Sequence, residues 1–279
     1  MTQPQDNNPD IWKDALPDTA GFTHKYDRGH GVFFGGAEMT GATCLSAYAA
    51  TRMGLGLATI AADKSSVDTY RVFMPHIIAR AAEGVQEKTA AADHDNVNTI
   101  IIGPGYGNKD ELKKLMPELL SLKNKKYVLD ADALTAFAGN AQELFGSLDE
   151  NCVLTPHEGE FKKLFGDYDA DKLAITRLAA EKSGAVIVHK GQETIIAAPD
   201  GRVVRNGGSP WLATAGSGDV LTGFIAGLIG QGMPTFESAC AAVWMHVKCA
   251  ENFGAGLVAA DIPDLLPEVL EGFYHDAKF

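Results

Sequence analysis

Ala213-Thr214-Ala215-Gly216-Ser217-Gly218-Asp219-Val220-Leu221 reads as a tight turn running directly into an apolar helix. Gly216 and Gly218 permit positive φ and close approach of another group to the backbone. Ser217 has the character of an N-cap, and Val220, Leu221, Phe224, Ile225 and Leu228 recur with helical period on one side. The free N–H groups that open such a helix, together with the positive end of its dipole, make a site suited to phosphate. Asp219 stands in the middle of that anion trap. A carboxylate there either complements the helix dipole or has a task beside the phosphate, such as holding a hydroxyl or a metal ion.

Working outward, the chain alternates short apolar runs with glycine-rich turns and helical patterns. Val32-Phe33-Phe34 precedes the turn Gly35-Gly36-Ala37-Glu38-Met39-Thr40-Gly41-Ala42, an alanine-rich helix follows from Thr43 to Met53, and Leu57 to Ile60 is the next strand. Strand, turn, helix, strand is the unit of a parallel sheet. It recurs at Thr99 to Ile102, Tyr127 to Leu129, Cys152 to Leu154 and Ala185 to Val188. Thr194 to Ala198 and Arg202 to Arg205 flank Pro199-Asp200-Gly201 as a β-hairpin, and a last long helix runs from about Thr235 to Asn252. The expected fold is α/β: one three-layer αβα domain with a mostly parallel central sheet over residues 21–279. A loose, proline-spaced arm over 1–20 precedes it, pinned by Trp12.

Composition narrows the class. The 279 residues are 46% hydrophobic, enough for a large core without staples, and carry a formal charge of −12. Such a balance argues against a nucleic-acid or anionic-membrane surface, while leaving room for a local pocket that takes a phosphorylated small molecule. Cys44, Cys152, Cys240 and Cys249 form no CxxC pair and read as buried free thiols of a reducing compartment. The N-terminus is polar and acidic, and no apolar run reaches the roughly 20 residues of a membrane span, so a soluble cytoplasmic protein is expected. A homo-oligomer is also expected. The Thr43–Met53 helix, apolar on more than one face, fits that expectation, as core burial does equally.

In open parallel sheets ligands bind beyond the carboxyl ends of the strands, and nearly every unusual polar or glycine cluster falls there. Gly103-Pro104-Gly105-Tyr106-Gly107 is a tight turn rather than a dinucleotide fingerprint, and no P-loop occurs. Asp130 and Asp132 are candidates for a Mg²⁺ or ribose contact, or for capping their turn. In Thr155-Pro156-His157-Glu158-Gly159-Glu160 the two glutamates suit a helix start, whereas His157 is expected to face the ligand crevice. Lys190 suits a phosphate, and Thr194 can add a hydroxyl. His24, Lys25, Asp27 and Arg28 read as a charged surface cluster.

These motifs, in this order, resemble the ADP-dependent NAD(P)H-hydrate dehydratases of the ribokinase-like superfamily. The resemblance runs from about residue 20 to 270 and rests on seven ordered segments. They are His24 to Gly29, Gly35-Gly36 with Thr40 to Ala42, Gly103 to Gly107, Leu129 to Leu134, Leu154 to Glu160, Lys190 to Thr194, and Leu212 to Gly223, with Ala259 to Pro263 in support. The resemblance implies a lyase that repairs S-NADHX and S-NADPHX. ADP, or ATP in some members, phosphorylates the hydroxyl of the hydrated ring; loss of phosphate then gives NAD(P)H and, with ADP, AMP. It implies Asp219 as catalytic base and Gly216 and Gly218 as the anion hole. It implies Ala42, Gly105 or Gly107, His157 and Asp219 against the hydrate, and Lys190, Gly191, Gln192, Glu193, Thr194 and Gly218 around the nucleotide. Mg²⁺ is expected to bridge the phosphates, with ligands that the motifs do not identify. The positive field of the helix start is expected to depress the Asp219 pKa, leaving a weak base that accepts its proton late.

Two segments depart from the family pattern. Glu38-Met39 replaces smaller residues, and Ser209-Pro210-Trp211 replaces an asparagine-proline-glycine run, which points to altered substrate preference near Trp211. No stretch of the sequence matches the epimerase domain that family members often carry. The nearest rival is a small-molecule kinase of the same superfamily, distinguished by a stable phosphoester product. A nucleotide-binding protein without turnover is a further alternative, which intact Gly216 to Asp219 argue against.

Overall fold

The computed structural model describes residues 5–18 and 21–274; the rest of the expected arm (1–4, 19 and 20) and residues 275–279 lie outside the described residues. Ten strands form one sheet: β1 (Gln5–Asp6), β2 (His30–Gly35), β3 (Leu57–Ala62), β4 (Ile78–Ala81), β5 (Thr99–Ile102), β6 (Lys126–Leu129), β7 (Cys152–Leu154), β8 (Val186–His189), β9 (Glu193–Ala197) and β10 (Val203–Gly207). Their order is β1-β10-β9-β8-β7-β6-β5-β2-β3-β4. The β8–β9 and β9–β10 pairings are antiparallel and all others parallel. The helices are α1 (Thr40–Arg52), α2 (Val67–Arg71), α3 (Gly84–Ala92), α4 (Lys109–Leu120), α5 (Asp132–Thr135), α6 (Ala141–Phe145), α7 (Glu158–Phe165), α8 (Lys172–Ser183), α9 (Ser217–Gly230), α10 (Thr235–Phe253) and α11 (Ile262–Tyr274).

The sheet has a core on each face, so its inner strands are apolar throughout rather than alternating. Phe33 and Ile101 point to one core, with α1, α9, α10 and α11; Val32, Phe34, Ile100 and Ile102 point to the other, with α3, α4, α7 and α8. The chain leaves β2 for β3 and β4 on one side, then returns to β5 on the other. β2 and β5 therefore flank a topological switch point, where open sheets leave a crevice.

Helix α9 is buried along most of its length, and α1 packs against it at very short range. A Cβ on Gly223 would lie 2.2 Å from the Ser46 carbonyl oxygen, and one on Gly227 would lie 2.6 Å from Met53 Cβ. Only glycine fits this approach. The broad apolar surface of α1 is covered within one chain by α9, α11 and β3, so its composition needs no second copy.

The N-terminal segment differs from the loose arm read from the sequence. β1 pairs in parallel with β10, and the Asn7 side chain donates to Asn206 Oδ1 (2.9 Å) and the Cys240 carbonyl (2.7 Å). Trp12, 1% exposed, packs on Trp244 and Phe273, in the pinning role its size suggested. The four cysteines are free and buried. Among the described residues, no helix is long and apolar enough to cross a membrane.

Candidate active site

The turn into α9 is built as the sequence suggests, with one exchange of roles. Gly216, at φ +91°, is the N-cap, and a Cβ there would meet Leu45 at 2.6 Å and Ala259 at 3.1 Å. Ser217 is not the cap but the first helical residue; its hydroxyl donates to the Leu212 carbonyl (2.8 Å) and ties the turn to the preceding 3₁₀ segment. The first amides of a helix have no intrahelical acceptor. Those of Gly218 and Asp219 have no protein partner among the described residues. Ser46 donates to the Asp219 carbonyl (2.8 Å), so α1 fixes the first turn of α9.

A cavity of about 640 Å³ opens in front of this turn. It is lined by Lys190, Gly191, Gln192, Thr194, Gly218 and His246, together with Gly208, Ser209, Pro210, Leu212 and Ala213. Of the residues expected to hold a nucleotide, the structure brings together all but Glu193, whose side chain is exposed at the start of β9. The Lys190–Glu193 turn is held in shape by Lys172, which donates to the carbonyls of Lys190 (3.1 Å) and Glu193 (2.6 Å).

The glycine turns after β2 and β5 form a second region. A Cβ on Gly36 would lie 2.0 Å from the Gly105 carbonyl oxygen, and one on Gly105 would lie 3.1 Å from Ala42 Cβ, so Ala42 and Gly105 adjoin. Gly107 lines a neighbouring cavity of about 310 Å³ with Gly36, Glu38, Lys88 and Glu111. Ala42 and Ser46 lie one turn apart on α1, which brings this region up to Asp219.

Behind the anion trap lies a buried polar cluster. Lys190 Nζ donates to Asp130 Oδ1 (2.9 Å), and Thr222, one turn along α9 from Asp219, donates to Asp130 Oδ2 (2.9 Å). Asp130 is 2% exposed. Ala131, at φ +49°, turns the chain between the two aspartates. Asp130 thereby enters the crevice, while Asp132 accepts from the Gly107 amide (2.9 Å) and caps its turn. The capping reading thus falls to Asp132, whereas the bonds of Asp130 go to Lys190 and Thr222.

The electrostatics reverse one sequence-based expectation. The Asp219 pKa is not depressed but pushed up to about 6, by burial first and then by the Asp130 and Glu160 charges, against the pull of Lys190. Two carboxylates and desolvation outweigh one ammonium and the helix dipole. Glu160 is raised as well, by burial and by Asp130. Burial works against the Lys190 ammonium, but Asp130, Glu160 and Asp219 hold its pKa above the ordinary lysine value. The Asp219 carboxylate accepts no hydrogen bond from the described residues, although Lys190 lies alongside it. A raised, unpartnered carboxylate at a helix start with free amides can take a proton from a hydroxyl while an adjacent anion is held.

His157 has a structural task that the sequence reading did not give it. It is the N-cap of α7: Nδ1 accepts from the amides of Gly159 (2.9 Å) and Glu160 (3.2 Å), and Glu160 accepts in return from the His157 amide (2.9 Å). Its ring is well exposed, lines neither cavity, and approaches the inner cluster at Glu160 (3.5 Å). His246 is a lining residue that sequence reasoning missed, because it sits in a long helix whose neighbours are core residues. Burial lowers its pKa to about 4, and its Nε2 is buried without a partner among the described residues. His24 to Arg28 stay at the surface, Asp27 capping its own turn by accepting from Thr23 and His24. Trp211 is half-exposed beside the lining residues Pro210 and Leu212. Among the described residues no group of three His, Cys, Asp or Glu side chains is placed to hold a metal ion.

A ten-strand, mostly parallel sheet with a glycine-opened helix N-terminus and an aspartate at its crevice defines the ribokinase-like class. The comparisons narrow this. The family model for NAD(P)H-hydrate dehydratase matches residues 31–270, and the chain belongs to that family. It is 34% identical over 245 residues to the ADP-dependent (S)-NAD(P)H-hydrate dehydratase of Neisseria meningitidis, covering 83% of this chain and 81% of that protein. It is 34% identical over 277 residues to the bifunctional NAD(P)H-hydrate repair enzyme of Salinibacter ruber, covering 92% of this chain and 50% of that one. The chain thus spans about half the length of the bifunctional relatives it matches. The ADP/ATP-dependent NAD(P)H-hydrate dehydratase of Bacillus subtilis, co-crystallised with ATP/Mg²⁺, superposes with a TM-score of 0.83 at 27% identity, over 98% of this chain and 100% of that one.

Proposed function

We propose that this chain is a hydro-lyase that dehydrates S-NADHX and S-NADPHX with ADP as phosphoryl donor, giving NAD(P)H, AMP and phosphate. The observation that carries the reading is Asp219: a buried carboxylate with raised proton affinity and no partner, beside free helix amides and Lys190. Lys190, Thr194 and the Gly218 amide hold the nucleotide in the larger cavity, with Gly191 and Gln192 against it. Gly216 lets the chain approach the transferred group. Ala42, Gly105, Gly107 and His157 contact the hydrate.

The substrate hydroxyl rests on Asp219. Its oxygen attacks the terminal phosphorus of ADP, Asp219 takes the proton, and AMP leaves. Phosphoryl transfer asks for positioning and charge stabilisation more than for covalent help, and Lys190 with the α9 amides supplies both. The C–O bond then breaks as the ring-nitrogen lone pair expels phosphate, and loss of the neighbouring C–H proton restores the reduced nicotinamide. Mg²⁺ would be held chiefly by the phosphates of the nucleotide and would shield their charge, since among the described residues no group of three His, Cys, Asp or Glu is placed to hold a metal ion. A reducing, cytoplasmic setting suits the four free thiols.

The test is S-NADHX with ADP and Mg²⁺, followed by the absorbance of reduced nicotinamide. A rise that requires ADP and releases AMP supports the reading. A stable phosphoester without that rise assigns the site to a kinase instead.

A further inference from the structure

Three carboxylates, Asp130, Glu160 and Asp219, surround one lysine, Lys190, where a phosphate is to bind. One ammonium cannot neutralise them, and an anion site usually excludes surplus negative charge. Asp130 is the best anchored of the three. It is fully buried, accepts from Lys190 and Thr222 at 2.9 Å each, and so joins the end of β6 to the end of β8 and to the first turns of α9. Neither bond is needed to hold the sheet, whose strands are already paired through the backbone.

We propose that Asp130 is a positioning residue for the reaction: its carboxylate fixes the Lys190 ammonium at the anion site and ties it, through Thr222, to the helix that carries Asp219. The proposal deepens the dehydratase reading and rests on it for the identity of the reaction. Asp130 touches neither nucleotide nor hydrate. It acts on Lys190 and, across the cluster, on Asp219, which it makes a stronger proton acceptor. The other charged groups that act on Asp219 are Lys190 from the end of β8 and Glu160 from α7, with His157 against Glu160; the Ser46 hydroxyl of α1 donates to the Asp219 carbonyl. Of the neighbouring charges, Asp130 acts most strongly on Asp219.

The experiment is a carboxyl-carbon NMR titration of Asp219 in ¹³C-aspartate protein, wild type and Asp130→Asn, with the signal assigned by its loss in Asp219→Asn. Asparagine keeps the shape and removes the charge. The Asp219 midpoint falls by about one pH unit in Asp130→Asn, a tenfold loss of proton affinity. The acid limb of kcat/KM moves down with it. A folded Asp130→Asn protein with an unmoved midpoint overturns the proposal. A merely structural role would lower Tm and leave the midpoint in place. Should Asp130→Asn not fold, Thr222→Val decides: it cuts the tie between Asp130 and α9, kcat falls about tenfold, and a folded Thr222→Val protein with unchanged kcat overturns the proposal. The titration needs no substrate. A shifted midpoint without dehydratase turnover therefore sinks the dehydratase reading alone, and turnover with an unmoved midpoint sinks this proposal alone.

Discussion

The protein buries two lysine–carboxylate clusters, and they are built on opposite plans. On α3, Lys88 is 1% exposed and contacts Asp63 (2.9 Å) and Glu111 (2.9 Å), while Tyr106 accepts from Lys88 (3.0 Å) and donates to Glu111 (2.9 Å). Every member has a protein partner, and the cluster ties α3 to α4. At the crevice, Lys190 has one hydrogen-bonded carboxylate, Asp130, while Asp219 has none. The first cluster borders the smaller cavity but has every member paired; the second reaches the larger cavity through Lys190 and leaves the Asp219 carboxylate unpaired among the described residues. A satisfied buried network specifies structure, whereas an unsatisfied one stores proton affinity for a ligand to use.

That contrast makes its strongest prediction at Asp219. Asp219→Ala should lower kcat by about 10²–10⁴-fold, the usual worth of a general base. ADP affinity, measured by calorimetry, should stay within a few-fold. Undiminished turnover would remove the difference between the clusters.

Lys88→Met gives the converse. It leaves Glu111, mostly buried, and Asp63, partly exposed, without their cation and should cost about 1–3 kcal/mol in denaturant unfolding. The folded fraction should keep its activity within about twofold. A stable Lys88→Met protein without turnover would show that the α3 cluster belongs to the site.

The open cluster should also show in pH. With Asp219 near 6, kcat/KM falls about tenfold per unit below that pH. For stability the sign is the reverse of a salt-bridged aspartate. The folded state binds the Asp219 proton more tightly than the unfolded chain, so this contribution is full below the unfolded value of 3.8 and is lost as pH rises through about 6. Asp219→Asn should therefore raise stability at pH 7, by at most about 3 kcal/mol, while abolishing turnover. An unchanged or lower Tm would show that the raised pKa does not burden the fold.

The smallest effect is expected at His157. His157→Ala removes an N-cap and should cost about 1 kcal/mol. It should raise KM for the hydrate more than KM for ADP. Equal rises would confine His157 to capping α7.

Much of this was legible in the sequence because both cores face one sheet. Apolar runs such as Ile100 to Ile102 mark buried strands without ambiguity, and glycines at their carboxyl ends mark the crevice. The sign of the Asp219 shift was not legible. The sequence displays the helix start beside Asp219, but Asp130 and Glu160 reach it only through the parallel order of β6, β7 and β8. The docked N-terminus was hidden for a similar reason. A polar, proline-spaced stretch looks loose until Asn7 finds Asn206 and Trp12 finds Trp244 and Phe273. The capping task of His157 was hidden because a ring nitrogen seldom serves as an N-cap.

The most direct test is a side-by-side assay of wild type, Asp219→Asn and Lys88→Met on S-NADHX with ADP and Mg²⁺, read as reduced nicotinamide and AMP formed per folded molecule. The account predicts matched yields of the two products in wild type and Lys88→Met, and none in Asp219→Asn. Turnover by Asp219→Asn, or its loss in folded Lys88→Met, would contradict the assignment of the open cluster as the catalytic one.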